Sequence, residues 1–285
     1  MKGIFYGLKR KKNLLSVCIP CDFGSRNLIF NTINNSGQLK RKINFLIFLD
    51  GEKKLYSKFF IRKLKRKFPY TKIFFNKKTH SGVSVARNKL LKEVKTAYVT
   101  FVDSDDQFLI NKKLISILDK ANKNNYELII FNHYVNKKNK SYNYNFSGEL
   151  QRPDILRLIK KHLKFPKGNS IITHCWAKIY SINYLKKNKI EFDKKFKVFE
   201  DYLFIANVFK NLKRLFISRS IQYHHFHFKY QNYKTALRHS LFINNYKQPI
   251  KIFSKLIRPN KLAKYYYNLA EKYWKIKLEK IINII

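Results

Sequence analysis

Acidic residues are scarce in this sequence. Against 61 lysines and arginines there are 17 aspartates and glutamates, so the formal net charge at pH 7 is +44. A charge of this size attracts polyanions, which include nucleic acids, anionic lipid headgroups and phosphorylated substrates. Because acids are so few, any place where they cluster is informative.

Cysteine is also rare. The three cysteines, Cys18, Cys21 and Cys175, are an odd and low number that provides no disulfide framework and fits a reducing compartment. Cys18-Ile-Pro-Cys21 has the spacing of a redox motif, but it lies at the end of a predicted strand rather than at the start of a helix. Since no second cysteine pair completes a zinc site, we expect neither a redox nor a zinc-binding role.

Long apolar runs are absent from the sequence. No stretch reaches the roughly 18 uninterrupted apolar residues that a membrane-spanning helix needs, and no export signal is visible at the N-terminus. Hydrophobic residues nevertheless make up 45% of the chain and aromatic residues 16%, which is enough for a sizeable core. We expect a folded cytoplasmic protein that lies peripherally on the inner face of the cell membrane.

Apolar strands alternate with amphipathic helices over the first hundred residues. This alternation predicts an α/β fold with a mostly parallel sheet that is flanked by helices on both faces. The predicted strands are Leu14–Pro20, Ile43–Leu49, Thr71–Phe75 and Tyr98–Val102, and the predicted helices are Asn27–Asn34, Lys53–Lys67 and Val83–Val94.

Polar clusters follow three of these strands where each strand ends. They are Pro20-Cys21-Asp22, Asp50-Gly51 and Asp103-Ser104-Asp105-Asp106. Ligands of parallel sheets bind at the carboxyl ends of strands, so the clusters should converge on one edge. The last cluster holds three carboxylates in four positions, which repel one another unless a cation lies there, and closely spaced oxygens suit a hard divalent cation. The alternative is a turn followed by a helix cap, for which Asp and Ser are also favoured.

Six short segments occur in an order that is specific when taken together. They are Pro20, Asp50-Gly51, Ser81 to Asn88 (Ser-Gly-Val-Ser-Val-Ala-Arg-Asn), Phe101 to Asp106, Trp176-Ala177-Lys178 and Glu200-Asp201. From about Ser16 to Phe209 the chain resembles the family 2 glycosyltransferases of the GT-A fold. The resemblance implies a nucleotide-sugar donor, a divalent cation (Mn²⁺ or Mg²⁺) and inversion at the anomeric carbon.

The resemblance implies that several residues bind the donor. They are Pro20, Asp22, Asp50, Arg87, Asp103, Ser104 and Asp105. Asp50 resembles the acid that accepts a hydrogen bond from the base ring, and Arg87 resembles a basic residue near the nucleotide. The alternatives are a turn acid for Asp50 and a solvated helix charge for Arg87.

The resemblance also implies a set of metal ligands. Asp105 resembles the direct ligand, whereas Asp103 resembles either a ligand or a contact to the ribose. His225 and His227 are candidates for a further ligand, although histidines on an apolar strand are often packed and neutral.

The Glu200-Asp201 pair resembles the catalytic acids of the family, with Asp201 as the base that takes the proton of the acceptor hydroxyl. The alternative is that both acids favour the start of a helix. The implied substrate-binding residues are Asp106, Trp176 and Lys178. Asp106 could instead cap the next helix, and Trp176 could belong to the core.

Two loops depart from the family pattern. Cys21-Asp22-Phe23 follows Pro20 where the family has an aromatic residue and Asn, and Asp50-Gly51-Glu52-Lys53 lacks a second Asp. The resemblance assigns both loops to the nucleotide pocket, so the identity of the nucleotide base stays open. UDP is the commonest expectation for the family.

The chain is predicted to divide into three parts. Residues 1–110 form the nucleotide-sugar-binding half of the GT-A domain, 111–230 form the acceptor-binding half, and 231–285 form a basic, aromatic C-terminal extension that ends in a helix over 262–282. Lysines along 247–280 alternate with apolar residues, a pattern suited to an anionic membrane or to a packed helix with a solvated basic face.

We therefore expect an inverting, metal-dependent transferase that moves a sugar from a nucleotide-sugar, with UDP the expected nucleotide, to a bacterial surface glycan such as lipopolysaccharide, lipooligosaccharide or capsule. One alternative is a nucleic-acid-binding protein, which would carry its basic residues on one element. They are spread along the chain here, so no nucleic acid is expected. Another is a metal-dependent nucleotidyl- or phosphotransferase, whose P-loop and kinase forms are disfavoured because the sequence lacks their glycine-rich loops.

Overall fold

One ten-stranded sheet organises the protein, as a computed structural model shows. The structure describes residues 13–34, 37–76, 81–136, 140–142, 146–164, 172–196, 198–226, 245, 247–257, 263–265, 267–269, 271, 272 and 275. The strands are β1 (Leu15–Cys21), β2 (Ile43–Leu49), β3 (Thr71–Phe75), β4 (Tyr98–Phe101), β5 (Gln107–Phe108), β6 (Leu128–Val135), β7 (Lys140–Tyr142), β8 (Gly148–Leu150), β9 (Lys178–Ser181) and β10 (Leu215–His225). Their order is β3-β2-β1-β4-β9-β6-β10-β5, with β7 paired to β6 and β8 paired to β10.

Seven helices accompany the sheet in the described part of the chain. They are α1 (Lys58–Lys67), α2 (Val83–Glu93), α3 (Lys112–Asn124), α4 (Arg152–Lys164), α5 (Ile182–Lys187), α6 (Glu200–Lys210) and α7 (Lys247–Lys255). None of the described helices combines the length and the apolarity that crossing a membrane requires.

The first four strands confirm the predicted parallel arrangement. β1 lies between β2 and β4 and is parallel to both, and β3 is parallel to β2. β1 and β2 are buried almost throughout, as expected for strands covered on both faces.

The whole sheet is mixed rather than mostly parallel. β9 lies between β4 and β6 and is antiparallel to both, while β6 and β10 are parallel. β5, β7 and β8 also pair antiparallel. The sequence prediction missed this because β9 is only four residues long and carries no alternating pattern.

Three local predictions differ from the structure. The helix predicted over 27–34 is a single 3₁₀ turn at Leu28–Asn31. The helix predicted over 53–67 begins only at Lys58, because Ser57 accepts a hydrogen bond from the backbone of Phe60 and so caps α1 there. The two short strands predicted over 215–217 and 221–223 form the single strand β10.

The core has one apolar layer on each face of the sheet. α1 and α3 cover one layer, and α2, α4, α5, α6 and α7 cover the other. In the second layer, Phe253 of α7 packs against His162 of α4 and Tyr202 of α6. α7, which belongs to the predicted C-terminal extension, thus packs against α6. Most of the helix predicted over 262–282 falls outside the described residues, and the division at residue 110 stays a prediction.

Candidate active site

The loops after β1, β2 and β4 meet at one edge of the sheet, as the sequence predicted. These strands are neighbours, and the backbone N–H of Asp50 donates to the carbonyl of Cys21 at 2.9 Å. The hydroxyls of Ser25 and Ser104 lie 3.2 Å apart and join the loops that follow β1 and β4. Pro20 is the second-last residue of β1. This edge is where an open α/β sheet binds its ligand.

The carboxylate of Asp50 holds its own loop to the start of α2. It accepts hydrogen bonds from the Ser81 backbone at 3.1 Å, the Ser81 hydroxyl at 3.2 Å and the Asn76 side chain at 3.1 Å. Asp50 is therefore an anchoring turn acid in this structure, the alternative that the sequence left open. A contact between Asp50 and the base ring stays a prediction.

Asp22 has a similar local role after β1. Its carboxylate accepts from the backbone N–H groups of Gly24 and Ser25 and from the Ser25 hydroxyl. A side chain at position 24 would bring its Cβ to 3.0 Å from Asp22 Oδ1, so glycine suits this tight turn. Asp22 shapes the loop, and its contact with the donor stays a prediction.

Arg87 is the centre of the site. Its Nη2 donates to Asp103 Oδ1 at 2.8 Å, and its Nη1 donates to Asp201 Oδ1 at 2.5 Å and to Glu200 Oε1 at 3.3 Å. The side chain is only 3% exposed, which excludes a solvated helix charge. We call these four residues the Arg87 cluster. It connects the acid after β4 to the two acids that begin α6.

The neighbouring Asn88 makes a second link between the same regions. Its side-chain amide donates to the Phe192 carbonyl at 2.7 Å and its Oδ1 accepts from the Phe192 backbone at 2.9 Å. In the Ala-Arg-Asn segment, Arg87 therefore binds the acids, and Asn88 binds the stretch of chain that leads into α6.

Both oxygens of Asp201 are engaged. Oδ1 accepts from Arg87, and Oδ2 accepts from the backbone N–H of Cys175 at 3.2 Å. Glu200 and Asp201 occupy the first turn of α6, where the helix dipole favours negative charge. Burial raises the pKa of Glu200 to about 8, and the charge of Asp201 adds to this while Arg87 opposes it. The pair thus offers one carboxylate fixed by two donors and one carboxyl that readily keeps its proton.

The acids after β4 point in different directions. Asp103 faces Arg87, and Asp105 is half-buried. Asp106 is 1% exposed and accepts from the Tyr223 hydroxyl at 2.6 Å, from His225 Nδ1 at 3.0 Å and from the Phe226 backbone at 2.8 Å. Asp106 therefore supports β10 from inside the protein and does not cap α3, whose cap is Asn111. Contact between Asp106 and a substrate stays a prediction.

Carboxylate oxygens of Asp103 and Asp105 are the hard donors that a divalent cation prefers, so these residues fit such an ion. Within the described residues no three His, Cys, Asp or Glu side chains form a ready-made metal site. His225 binds Asp106 through Nδ1, an arrangement that orients the ring. Burial lowers the pKa of His225, but the hydrogen bond and charge of Asp106 outweigh it and raise that pKa. His227 lies outside the described residues.

Trp176 belongs to a stack of rings beneath the site. It is 5% exposed and stacks on Tyr223 (centroids 4.9 Å apart), His225 (5.1 Å) and His174 (4.7 Å). This is the core role that the sequence left open, and contact with sugars stays a prediction. Tyr223, whose hydroxyl also accepts from the Asp103 backbone at 3.3 Å, was not singled out from the sequence.

Lys178 lies inside the protein rather than on the surface of the site. It is 1% exposed, and its ammonium donates to the carbonyls of His174 at 2.6 Å and Trp176 at 3.3 Å. Burial lowers its pKa to about 7. Lys178 thereby holds the turn from which Cys175 donates to Asp201, and its predicted contact with substrate stays a prediction.

The fold is that of the GT-A glycosyltransferases. The crystal structure of Staphylococcus aureus TarS 1–349 superposes with a TM-score of 0.64 at 18% identity, covering 90% of this chain and 70% of that one. The complex of TarS 1–349 with UDP-GlcNAc superposes with a TM-score of 0.65 at 16% identity, covering 89% and 70%.

The family follows from the sequence match. The family model for glycosyl transferase family 2 matches residues 16–184, which is more than half of the chain. The chain belongs to glycosyl transferase family 2, and the predicted family is confirmed. The poly(ribitol-phosphate) beta-N-acetylglucosaminyltransferase TarP of S. aureus (strain N315) is 31% identical over 151 residues, which are 52% of this chain and 42% of TarP. The match thus spans less than half of the length of TarP.

Proposed function

We propose that the protein is an inverting, metal-dependent glycosyltransferase that moves a sugar from a UDP-linked donor to a bacterial surface glycan. The observation that carries the proposal is the Arg87 cluster. One buried guanidinium bonds both to Asp103, at the strand end where a donor diphosphate would lie, and to Glu200-Asp201, the candidate base pair. The proposed donor site at Asp103 and the proposed base at Asp201 are thus held at a fixed distance and orientation, which a single in-line displacement requires.

Asp201 is the proposed catalytic base. Its two hydrogen bonds fix the carboxylate in place, and it would take the proton of the acceptor hydroxyl as that oxygen bonds to the anomeric carbon. Glu200 beside it, with its raised pKa, keeps a further negative charge out of the Arg87 cluster at neutral pH. The Cys175 N–H and Arg87 hold the two oxygens of Asp201 in position before transfer.

Donor binding is assigned to the edge formed by the loops after β1, β2 and β4. Asp103 and Asp105 would hold a divalent cation, which when bound neutralises the charge on the departing diphosphate. TarS 1–349 has the same fold and was crystallised with UDP-GlcNAc, which supports UDP as the nucleotide and makes an N-acetylhexosamine the first sugar to test.

The acceptor is proposed to be an anionic glycan of the cell surface, such as lipopolysaccharide, lipooligosaccharide, capsule or a polymer of the poly(ribitol-phosphate) kind named for TarP. A net charge of +44 suits phosphate-bearing acceptors and an anionic inner leaflet equally. We therefore place the protein peripherally at that membrane.

Calorimetric titration tests the donor site. UDP, UDP-GlcNAc, GDP and CMP are titrated with Mn²⁺ and again with EDTA, using the wild type, Asp105→Ala and the exposed control Asp119→Ala. We expect UDP compounds to bind only with Mn²⁺, and to bind the control but not Asp105→Ala. Equal binding in EDTA, or by Asp105→Ala, would contradict the proposed metal role. Asp201→Asn should bind the donor normally yet transfer no sugar.

A further inference from the structure

Exposed apolar side chains are concentrated on one short segment of the surface. Among the described residues, five large apolar or aromatic side chains are exposed, and three of them lie between positions 55 and 70. They are Leu55 at 43%, Phe59 at 72% and Tyr70 at 40% exposure. Phe59 is the most exposed of the five, so this part of the protein presents a ring to solvent without cover from the described residues.

The same segment is strongly basic. α1 reads Lys-Phe-Phe-Ile-Arg-Lys-Leu-Lys-Arg-Lys, which is six cations and no acid in ten residues. Its buried side faces the core through Leu64, whereas Phe59, Arg62 and Arg66 recur at i, i+3 and i+7 and share the outer side. We call Leu55, Lys58, Phe59, Arg62 and Arg66 the basic–aromatic stripe.

No acid of the described surface neutralises this stripe. Among the described carboxylates, the one nearest in sequence to its start is Glu52, which pairs with Lys54 at 2.9 Å. At the other end of α1, Lys67 lies close enough to Lys40 that burial and this second cation both lower its pKa. The helix therefore presents crowded positive charge that would gain from a counter-surface of negative charge.

We infer that the basic–aromatic stripe is the surface by which the protein docks on an anionic phospholipid bilayer, with Phe59 inserted among the headgroups. Cations on a helix face together with an exposed aromatic ring are the combination that binds the membrane interface, because headgroup phosphates attract the cations and the acyl region takes up the ring. A soluble polyanion would satisfy the cations but would leave Phe59 in water. The inference rests on the membrane association in the proposed function and assigns it to α1 rather than to the C-terminal extension.

The position of the stripe relative to the site fits a lipid-bound acceptor. Leu55 is followed by Tyr56, which is buried and whose hydroxyl donates to the Asp50 carbonyl at 3.1 Å. The stripe thus begins at the same sheet edge as the acids of the site. A bilayer that contacts Leu55 and Phe59 would therefore lie near the sheet edge to which the donor site is assigned.

Vesicle co-sedimentation tests the inference with the whole chain. Vesicles of phosphatidylcholine alone are compared with vesicles that also contain phosphatidylglycerol. Because Phe59 is exposed, Phe59→Ser should fold normally, and we expect it to weaken binding to the anionic vesicles about tenfold. The matched control Phe146→Ser changes a second exposed ring elsewhere and should bind like the wild type.

Charge is tested in the same assay. The double variant Arg62→Gln/Arg66→Gln should weaken binding about tenfold or more, since each cation near an anionic surface contributes. Its control, Lys113→Gln/Lys123→Gln, removes two exposed charges from α3 and should bind nearly as well as the wild type. Phe59→Trp adds a direct readout, because brominated lipid should quench its fluorescence but not that of Phe146→Trp.

The outcomes separate the inference from the proposed function. If the wild type binds anionic vesicles but the Phe59 and Arg62/Arg66 variants bind equally well, the stripe is not the docking surface, although membrane association stands. If instead Tyr265→Ser weakens binding and Phe59→Ser does not, the C-terminal extension is the docking element and the inference is wrong. If the wild type binds no vesicles, both the proposed membrane association and the docking role of the stripe are wrong. The proposed donor binding is measured separately and is unaffected by that result.

Discussion

Replacing Arg87 by glutamine tests whether this residue balances the charge of the acids around it. The change removes the cation from between Asp103, Glu200 and Asp201 and leaves these carboxylates facing one another. Removing one partner of a buried ion pair costs about 3–5 kcal/mol. The three acids keep 14–29% side-chain exposure, so water relieves part of the cost, and we expect a loss of about 3 kcal/mol in the free energy of unfolding.

Urea unfolding followed by circular dichroism measures this loss. Arg87→Lys keeps the charge but not the planar fork that reaches three acids, so it should fall between the wild type and Arg87→Gln. The control is Arg157→Gln, which removes an exposed pair with Asp154 and should change stability little.

The pH dependence makes the Arg87 test more specific. The loss in Arg87→Gln comes from unpaired negative charge, so it should shrink as the pH falls and the carboxyls gain protons. A loss below about 1 kcal/mol at pH 7, or one that does not change between pH 7 and pH 4, would refute the idea that Arg87 balances these acids.

Three further predictions follow from buried groups of the site. Glu200 has a pKa of about 8 in the folded protein against an ordinary 4.5, so the folded state binds its proton more tightly than the unfolded state. The free energy of unfolding should therefore fall as the pH rises from 4.5 to 8. Glu200→Gln should flatten that fall in urea titrations from pH 5 to 8. The pKa of Lys178 is lowered to about 7, so burying its charge costs stability below about pH 10, and this cost fades as the pH rises above 7. Lys178→Met should remove the resulting rise of stability with pH. If the lysine positions Asp201, the variant should also lower kcat with little change in KM. Tyr223→Phe loses the 2.6 Å hydrogen bond to Asp106 and should cost about 1–3 kcal/mol in the free energy of unfolding, measured in urea.

Sequence patterns predicted the parts of the fold that depend on neighbours along the chain. The runs at Leu15–Cys21 and Ile43–Leu49 are apolar except for Ser16 and Asn44, which favours buried strands. The acids that follow the two strands had to share an edge once the strands were parallel. The same patterns could not predict where α1 begins. The helix begins where Ser57 caps it, whereas the helical spacing of apolar residues already starts before Ser57.

The roles of individual site residues were harder to predict because they depend on partners far along the chain. Nothing in the surroundings of Arg87 indicates that it will meet Asp201, 114 positions later. The family resemblance implied that Lys178 contacts the substrate, but its surroundings in the sequence did not indicate that its ammonium would donate to two carbonyls of its own turn. Tyr223 carried no signal beyond its place in a histidine-rich strand.

β9 explains why these distant residues meet. Because it enters antiparallel between β4 and β6, the turn that precedes it arrives at the same edge as the end of β4. Lys178, the first residue of β9, closes that turn, and Cys175 within the turn then donates to Asp201 at the start of α6. The Trp-Ala-Lys segment therefore belongs to the turn that supports Asp201 from inside the protein. Only the tertiary pairing of β4 with β9 brings these distant residues together, and the substrate contacts predicted for Trp176 and Lys178 stay predictions.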